Sequence, residues 1–218
     1  VAVALAVALA ASSTGATDNL RDLRFAAAPI VLAIGMFACA ALAPRGRGTW
    51  VAAGVPYAGA MGLAPIVLCA DLEFGFIAMI FLFAVVWATD IAAYFVGRAV
   101  GGPKLAPRLS PNKTWSGSIG GLAGAVLAAL VVVQASGSGS ILAAVLVAIA
   151  LSIAAQAGDL FESAVKRRFG VKDAGSLIPG HGGLMDRLDG FVMAAVLACL
   201  IGLAHGGIDA PARGLLIW

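Results

Sequence analysis

"GFIAMIFLFAVVWATDIAAYFVGRAVGGPK" (residues 75–104) decides the class of this chain. From Gly75 to Gly97 the only charged residue is Asp90, and a basic, glycine-rich stretch follows at once. About 20 apolar residues suffice to cross the hydrocarbon core of a bilayer as a helix. The rest of the chain has the same character. Of 218 residues 61% are hydrophobic and 11% charged, with mean hydropathy +1.02. A soluble domain carries roughly 25% charged residues, so this chain cannot cover a globular surface with polar groups.

The composition predicts an all-α, polytopic integral membrane bundle, treated as one transmembrane domain over 1–218. Full spans are expected near 25–43, 50–70, 75–96, 117–135, 141–158 and 189–205, with a partial one at 1–11. The opening "VAVALAVALA" has neither Met nor a basic flank, and it reads as the tail of a truncated helix rather than a signal peptide. Pro29, Pro56 and Pro65 fall inside spans and are expected to kink them. The linker "ASGSGS" (135–140) makes its flanking spans antiparallel neighbours. Cys39, Cys69 and Cys199 are dispersed in apolar runs and read as small core residues.

Basic residues give the orientation. Arg45 and Arg47, then Arg98, Lys104, Arg108 and Lys113, then Lys166, Arg167, Arg168, Lys172 and Arg187 occupy alternate loops. Those loops hold eleven of the fourteen Lys and Arg, which assigns them to the cytoplasm by the positive-inside rule. Two of them, 97–116 and 159–188, are chemically rich. The first has four basic residues and no acid. The second contains "SAVKRRFGVKDAGSLIPGHGGLMDRLDG" (163–190), with five basic residues, three Asp and a His-Gly-Gly.

If the span at 141–158 continues as a helix, Asp159, Glu162 and Lys166 share one face at i, i+3 and i+7. Asp186 and Asp189 repeat the i, i+3 spacing where the last span begins. Hard cations such as Mg²⁺ take oxygen ligands, commonly one or two carboxylates plus substrate phosphates. Any single carboxylate could instead pair with a neighbouring Lys or Arg. Gly180, Gly182 and Gly183 free backbone N–H groups to face an anion, and His181 among them could bind phosphate, transfer a proton or brace the loop. His205, at the other membrane face, reads as inert. Asp90 lies inside a span, roughly 10 Å below the loop at 1.5 Å per residue. An ionisable group there is costly and is a functional candidate, although an interhelical ion pair would also account for it. Lys104, Arg108 and Lys113 could neutralise phosphates, with Ser110 and Asn112 as neutral donors, or could only fix topology and touch anionic headgroups. Acidic pairs, several bases and a glycine cradle at one lip suit phosphoryl or nucleotidyl transfer to a lipid.

The pattern S-x-x-K-R-x4-K-D-x-G-x-x-I-P-x-H-G-G-L-x-D-R-L-D, from Ser163 to Asp189, resembles the signature of the phosphatidate cytidylyltransferase (CDP-diacylglycerol synthase) family. "TDIAAYFVGRAVGGPKLAPRLSPNKTWSGSIGG" (89–121) resembles that family's other cytoplasmic region. The resemblance covers roughly residues 85–190 and implies transfer of CMP from CTP to phosphatidic acid, giving CDP-diacylglycerol and pyrophosphate in phospholipid biosynthesis. It implies metal binding by Asp159, Asp186 and Asp189, with Mg²⁺ or Mn²⁺ and a second, monovalent K⁺. Lys172 and His181 join those aspartates as expected catalytic residues. Lys104, Ser110, Asn112, Lys113, Lys166, Arg167, Arg187 and Asp90 are the expected substrate-binding residues.

Expected partners are CTP, phosphatidic acid, the bilayer and a second copy of the chain, with no nucleic acid. Ala92, Ser116 and Gly190 stand where many members have Gly, Glu and Ser. The alternative reading is a CTP-dependent polyprenol or dolichol-type lipid kinase, whose products would be phospho-lipid and CDP. A transporter would be expected to show internal repeats, and none is evident. Replacing Lys172 by Ala is expected to raise the apparent KM for a substrate. Unchanged KM and turnover would relegate Lys172 to topology.

Overall fold

The structure, a computed structural model, describes residues 34, 36–43, 48–137, 139–171 and 185–218, the side chains of 185–187 excepted. Five of its helices are long and apolar enough to cross a membrane, and the chain is a polytopic, helical integral membrane protein. The expected partial span at 1–11 lies outside the described residues, as does most of 25–43. Residues 1–70 and 71–218 are separate compact units. In the first, residues 36–42 are helical, and α1 runs Gly48–Cys69 without interruption at Pro56 or Pro65.

The second unit holds α2 (Gly75–Val100), α3 (Trp115–Ser136), α4 (Ile141–Arg168), α5 (Met185–Gly206) and a short α6 (Pro211–Leu216). The stretch between α2 and α3, expected as loop, is a small antiparallel hairpin of β1 (Lys104–Ala106) and β2 (Ser110–Thr114). It is the one departure from an all-helical plan among the described residues. Gly101 (φ 65°) and Gly102 (φ 101°) let the chain leave α2 sharply. Thr114 then caps α3, its Oγ1 accepting the Gly117 N–H at 3.1 Å.

The broadest helix contact is α2 with α3, and small residues make it. A Cβ on Gly117 would lie 2.7 Å from the Ala93 carbonyl oxygen, and one on Gly124 would lie 2.6 Å from Ala92 Cβ. In lipid, helices attract chiefly through packing, so close backbone approach replaces the hydrophobic drive available in water. Gly158 and Gly190 do the same for α4 and α5, each meeting the other helix's backbone at about 3 Å. Helix α4 continues to Arg168, ten residues past the expected span end at 158, so Asp159, Glu162 and Lys166 do lie on one helix.

At the opposite end, buried Asp71 accepts the N–H groups of Glu73 (3.1 Å) and Phe74 (3.0 Å) on Oδ1 and that of Arg213 (2.9 Å) on Oδ2. It thereby ties α6 to the start of α2. His205 stacks on Trp218 with ring centroids 4.3 Å apart, with its Nδ1 3.1 Å from the Gly214 carbonyl oxygen. Replacing Gly124 by Leu should force α2 and α3 apart and destabilise the protein by about 1–3 kcal/mol. Leu127→Ala on the exposed face of the same helix should change thermal unfolding in detergent far less.

Candidate functional site

The ends of α2 and α4 and the starts of α3 and α5 meet at one end of the bundle, where the hairpin also lies. A cavity of about 640 Å³ opens there, lined among others by Asp90, Lys104, Asn112, Lys113, Gln156 and Asp159. Each follows from its local structure. Asp90 projects from α2 ten residues before its end, and Tyr94 and Arg98 repeat its face at one-turn intervals. All three line the cavity. Arg98 donates to the Tyr94 hydroxyl at 2.9 Å. The hairpin carries Lys104 on β1 and Asn112 and Lys113 on β2.

Lys113 reaches across to Asp159 on α4 and forms an ion pair with its Oδ2. Asp90 lies within electrostatic range of both Asp159 and Lys113. Lys113 is therefore the cation placed to offset two carboxylates from different helices. Three basic residues and two acidic ones share this concavity, which suits an anion carrying several charges together with a cation.

A second acidic group adjoins the first. Gly158 against the Asp189 backbone brings α4 and α5 together, and the Asp189 carboxyl faces Glu162 and lies near Asp159. The Gly190 N–H donates to Asp189 Oδ1 at 2.7 Å. Glu162 is 7% exposed, and its Oε2 accepts from Lys166 Nζ at 3.0 Å. Among the described residues its buried Oε1 has no hydrogen-bond donor. Two facing carboxyl groups repel when both are ionised, and a proton or a cation between them relieves that repulsion. The donors here are all oxygens, the set a hard divalent ion prefers, so these residues fit such an ion. Among the described residues, no three Asp, Glu, His or Cys gather closely enough to form a metal cluster by themselves.

The structure thus brings Asp90, Lys104, Asn112, Lys113 and Asp159 together around one cavity, with Asp189 and Lys166 beside Asp159 through Glu162. Ser110 begins β2 and is not among the cavity's lining residues, and Arg167 is exposed at the end of α4. Lys172 and His181 lie outside the described residues, and of Asp186 and Arg187 only the helical backbone is described. Sequence reasoning left out Glu162, Arg98, Gln156 and Ser118. Glu162 was visible on the Asp159 face, but its i+4 Lys seemed to explain it. Gln156 and Ser118 carry no charge and so gave no signal of cost.

The model of the cytidylyltransferase family matches residues 1–204. The chain belongs to this family. It is similar to a phosphatidate cytidylyltransferase of Brucella suis, 56% identical over 166 residues, which is 76% of this chain and 61% of that protein. Phosphatidate cytidylyltransferases of Haemophilus influenzae and Bacillus subtilis are each 43% identical, over 57% and 55% of this chain and 45% of their own lengths. The chain therefore spans about three fifths or less of these curated relatives. Their likeness lies in the family, and the cavity described above is where its chemistry can be sought in this chain.

Removing the cation of the Lys113–Asp159 pair should expose the repulsion it holds in check. Lys113→Met is expected to lower thermal stability more than the double variant Lys113→Met/Asp159→Asn. The coupling from the full cycle should be about 1 kcal/mol. A cycle that closes to zero would mean the two side chains do not act on each other.

Proposed function

We propose that this chain is a phosphatidate cytidylyltransferase, joining CTP and phosphatidic acid to give CDP-diacylglycerol and pyrophosphate. One observation carries the reading: a single cavity at the end of membrane-spanning helices combines Arg98, Lys104 and Lys113 with the carboxylates of Asp90 and Asp159. A lipid substrate keeps its headgroup at such an end, and a nucleoside triphosphate needs several cations there. The phosphatidate cytidylyltransferases to which the chain is similar support the same chemistry.

In this reading a phosphate oxygen of phosphatidic acid attacks the α-phosphorus of CTP. A new P–O bond forms, and the bond from the α-phosphorus to the bridging oxygen breaks with its electron pair leaving on pyrophosphate. Lys104, Lys113 and Arg98 neutralise the phosphates so that two anions can approach. Asn112 donates neutral hydrogen bonds, and Ser110, Lys166 and Arg167 extend the polar rim. Asp159, Asp189 and Asp186 would hold Mg²⁺ or Mn²⁺, with Glu162 beside them and K⁺ as a second ion. The bound divalent ion supplies charge neutralisation at the phosphates and the leaving group. Lys172, His181 and Arg187 complete the substrate loop in this reading. The alternation of basic loops supports a cytoplasmic site, where CTP is available.

The test uses protein in mixed micelles with phosphatidic acid, Mg²⁺ and CTP labelled in the cytosine ring. Label should enter the lipid phase and be blocked by EDTA. Phosphorylated lipid alcohol without cytosine label would indicate the lipid-kinase reading instead. Asp189→Asn is expected to abolish labelled lipid while the protein still elutes as a folded particle. Turnover like the wild type would remove Asp189 from the site.

A further inference from the structure

Asp90, Lys113 and Asp159 come from three segments, α2, the hairpin leading into α3, and α4. The Lys113–Asp159 pair joins two of those segments; a chain of neutral polar groups, one turn further into the bundle, joins all three. Ser118 Oγ donates to Gln156 Oε1 at 2.5 Å. Gln156 Nε2 lies 3.3 Å from the Ser118 carbonyl oxygen and 3.3 Å from Ser152 Oγ. Ser152 Oγ is 2.9 Å from Thr89 Oγ1, which is 2.8 Å from the Val85 carbonyl oxygen.

A hydroxyl has one hydrogen to give, and that of Thr89 has both the Val85 carbonyl and Ser152 Oγ within reach; where it goes to Val85, Ser152 donates to Thr89. The two amide hydrogens of Gln156 then go to Ser152 Oγ and the Ser118 carbonyl, and Ser118 Oγ returns a hydrogen to Gln156 Oε1. Every polar atom is used, and Thr89 and Ser152 are fully buried. Only an amide supplies two donors and one acceptor at this point.

Each part of the network adjoins one charged group. Thr89 precedes Asp90, Gln156 lies one turn before Asp159, and Ser118 is in the first turn of the helix that follows Lys113. Packing alone does less to fix α4. The α2–α3 contact has its own glycines, whereas Gly158 of α4 faces Asp189 and Met193 of α5. We propose that Gln156 is a positioning residue, whose amide sets the separation of Asp90, Lys113 and Asp159 by joining α4 to α2 and α3. Through that spacing it sets the affinity of the site for a divalent cation and for nucleotide phosphates. The kinetic part of this inference rests on the cytidylyltransferase reading; the cation part has its own readout.

The experiment compares the full chain with Gln156→Leu, Gln156→Glu and Ser152→Ala in detergent. Gln156→Glu keeps the shape but sets an oxygen against the Ser118 carbonyl, and Ser152→Ala removes one acceptor and keeps both Ser118 bonds. Binding of Mn²⁺ to the protein alone is followed by electron paramagnetic resonance, and KM for CTP and kcat by labelled lipid. Both Gln156 variants are expected to weaken Mn²⁺ binding about 10-fold and to raise KM for CTP, with Ser152→Ala in between and elution unchanged. Individual interhelical hydrogen bonds in membranes are weak, so the fold is expected to survive. If Gln156→Leu does not fold, the other two variants decide by the same Mn²⁺ titration.

A lower melting temperature with unchanged Mn²⁺ affinity and KM would show a merely structural amide and overturn the inference. Absence of Mn²⁺ binding by the wild type would overturn it as well. A wild type that binds Mn²⁺ but makes no cytidine-labelled lipid would overturn the proposed function alone, and the Mn²⁺ titration would still decide Gln156.

Discussion

The Lys113–Asp159 ion pair joins residues 46 positions apart in the sequence, and it does so at the polar end of an otherwise apolar bundle. Charges there lose part of their hydration and must recover it from partners. For the two side chains to meet, the start of α3 has to reach the end of α4. That in turn requires the hairpin to fold back from α2, and α2 and α3 to lie almost in backbone contact. The two positive-φ glycines after α2, the Thr114 cap and the stripe of glycines along α3 are all conditions of one electrostatic contact. Asp90, reaching the same cavity from α2, depends on that contact too.

The two ends of the second unit use polar groups differently. At one end Asp71 engages both oxygens with backbone N–H groups and closes α6 onto α2. At the other, the carboxylates of Asp90, Asp159, Glu162 and Asp189 gather close together, and among the described residues the Oε1 of Glu162 has no donor. A carboxylate bonded through both oxygens to backbone N–H groups holds a fold together, and one facing a cavity or another carboxyl is available for chemistry.

The spans were legible because hydropathy is a long, repeated signal. Their expected and observed limits differ by a few residues, except in α4. There the apolar run ends near 158 while the helix continues through the charged residues to Arg168, because a change of polarity marks the end of a span and not of a helix. The hairpin was hidden because Pro103, Pro107 and Pro111 and the interspersed basic residues look like a loop, and a three-residue strand has no usable period. Helix α6 is likewise too short to announce itself. In the site, Asp90, Lys113 and Asp159 stood out because charge is rare in this chain. The neutral Gln156–Ser118 pair did not, since its importance lies in which helices it joins, and that is a property of the packing. Asp186 and His181 drew attention by spacing and by the glycines around His181, whereas their roles and that of Lys172 came only from the family signature.

The length of α4 bears on the choice of membrane. Its 28 residues amount to about 42 Å of helix at 1.5 Å per residue, against a hydrocarbon core of about 30 Å. Asp159 is 18 residues beyond Ile141, hence roughly 27 Å along the helix. The carboxylate is therefore stationed near the far rim of an average bilayer, with three basic residues beyond it. A thicker bilayer would draw Asp159 and Lys113 into hydrocarbon, and a thinner one would lift them into water; either has to be met by tilt or by local deformation of the lipid. The helix acts as a gauge, and the acyl-chain length of the surrounding membrane becomes a variable in the electrostatics of the cavity.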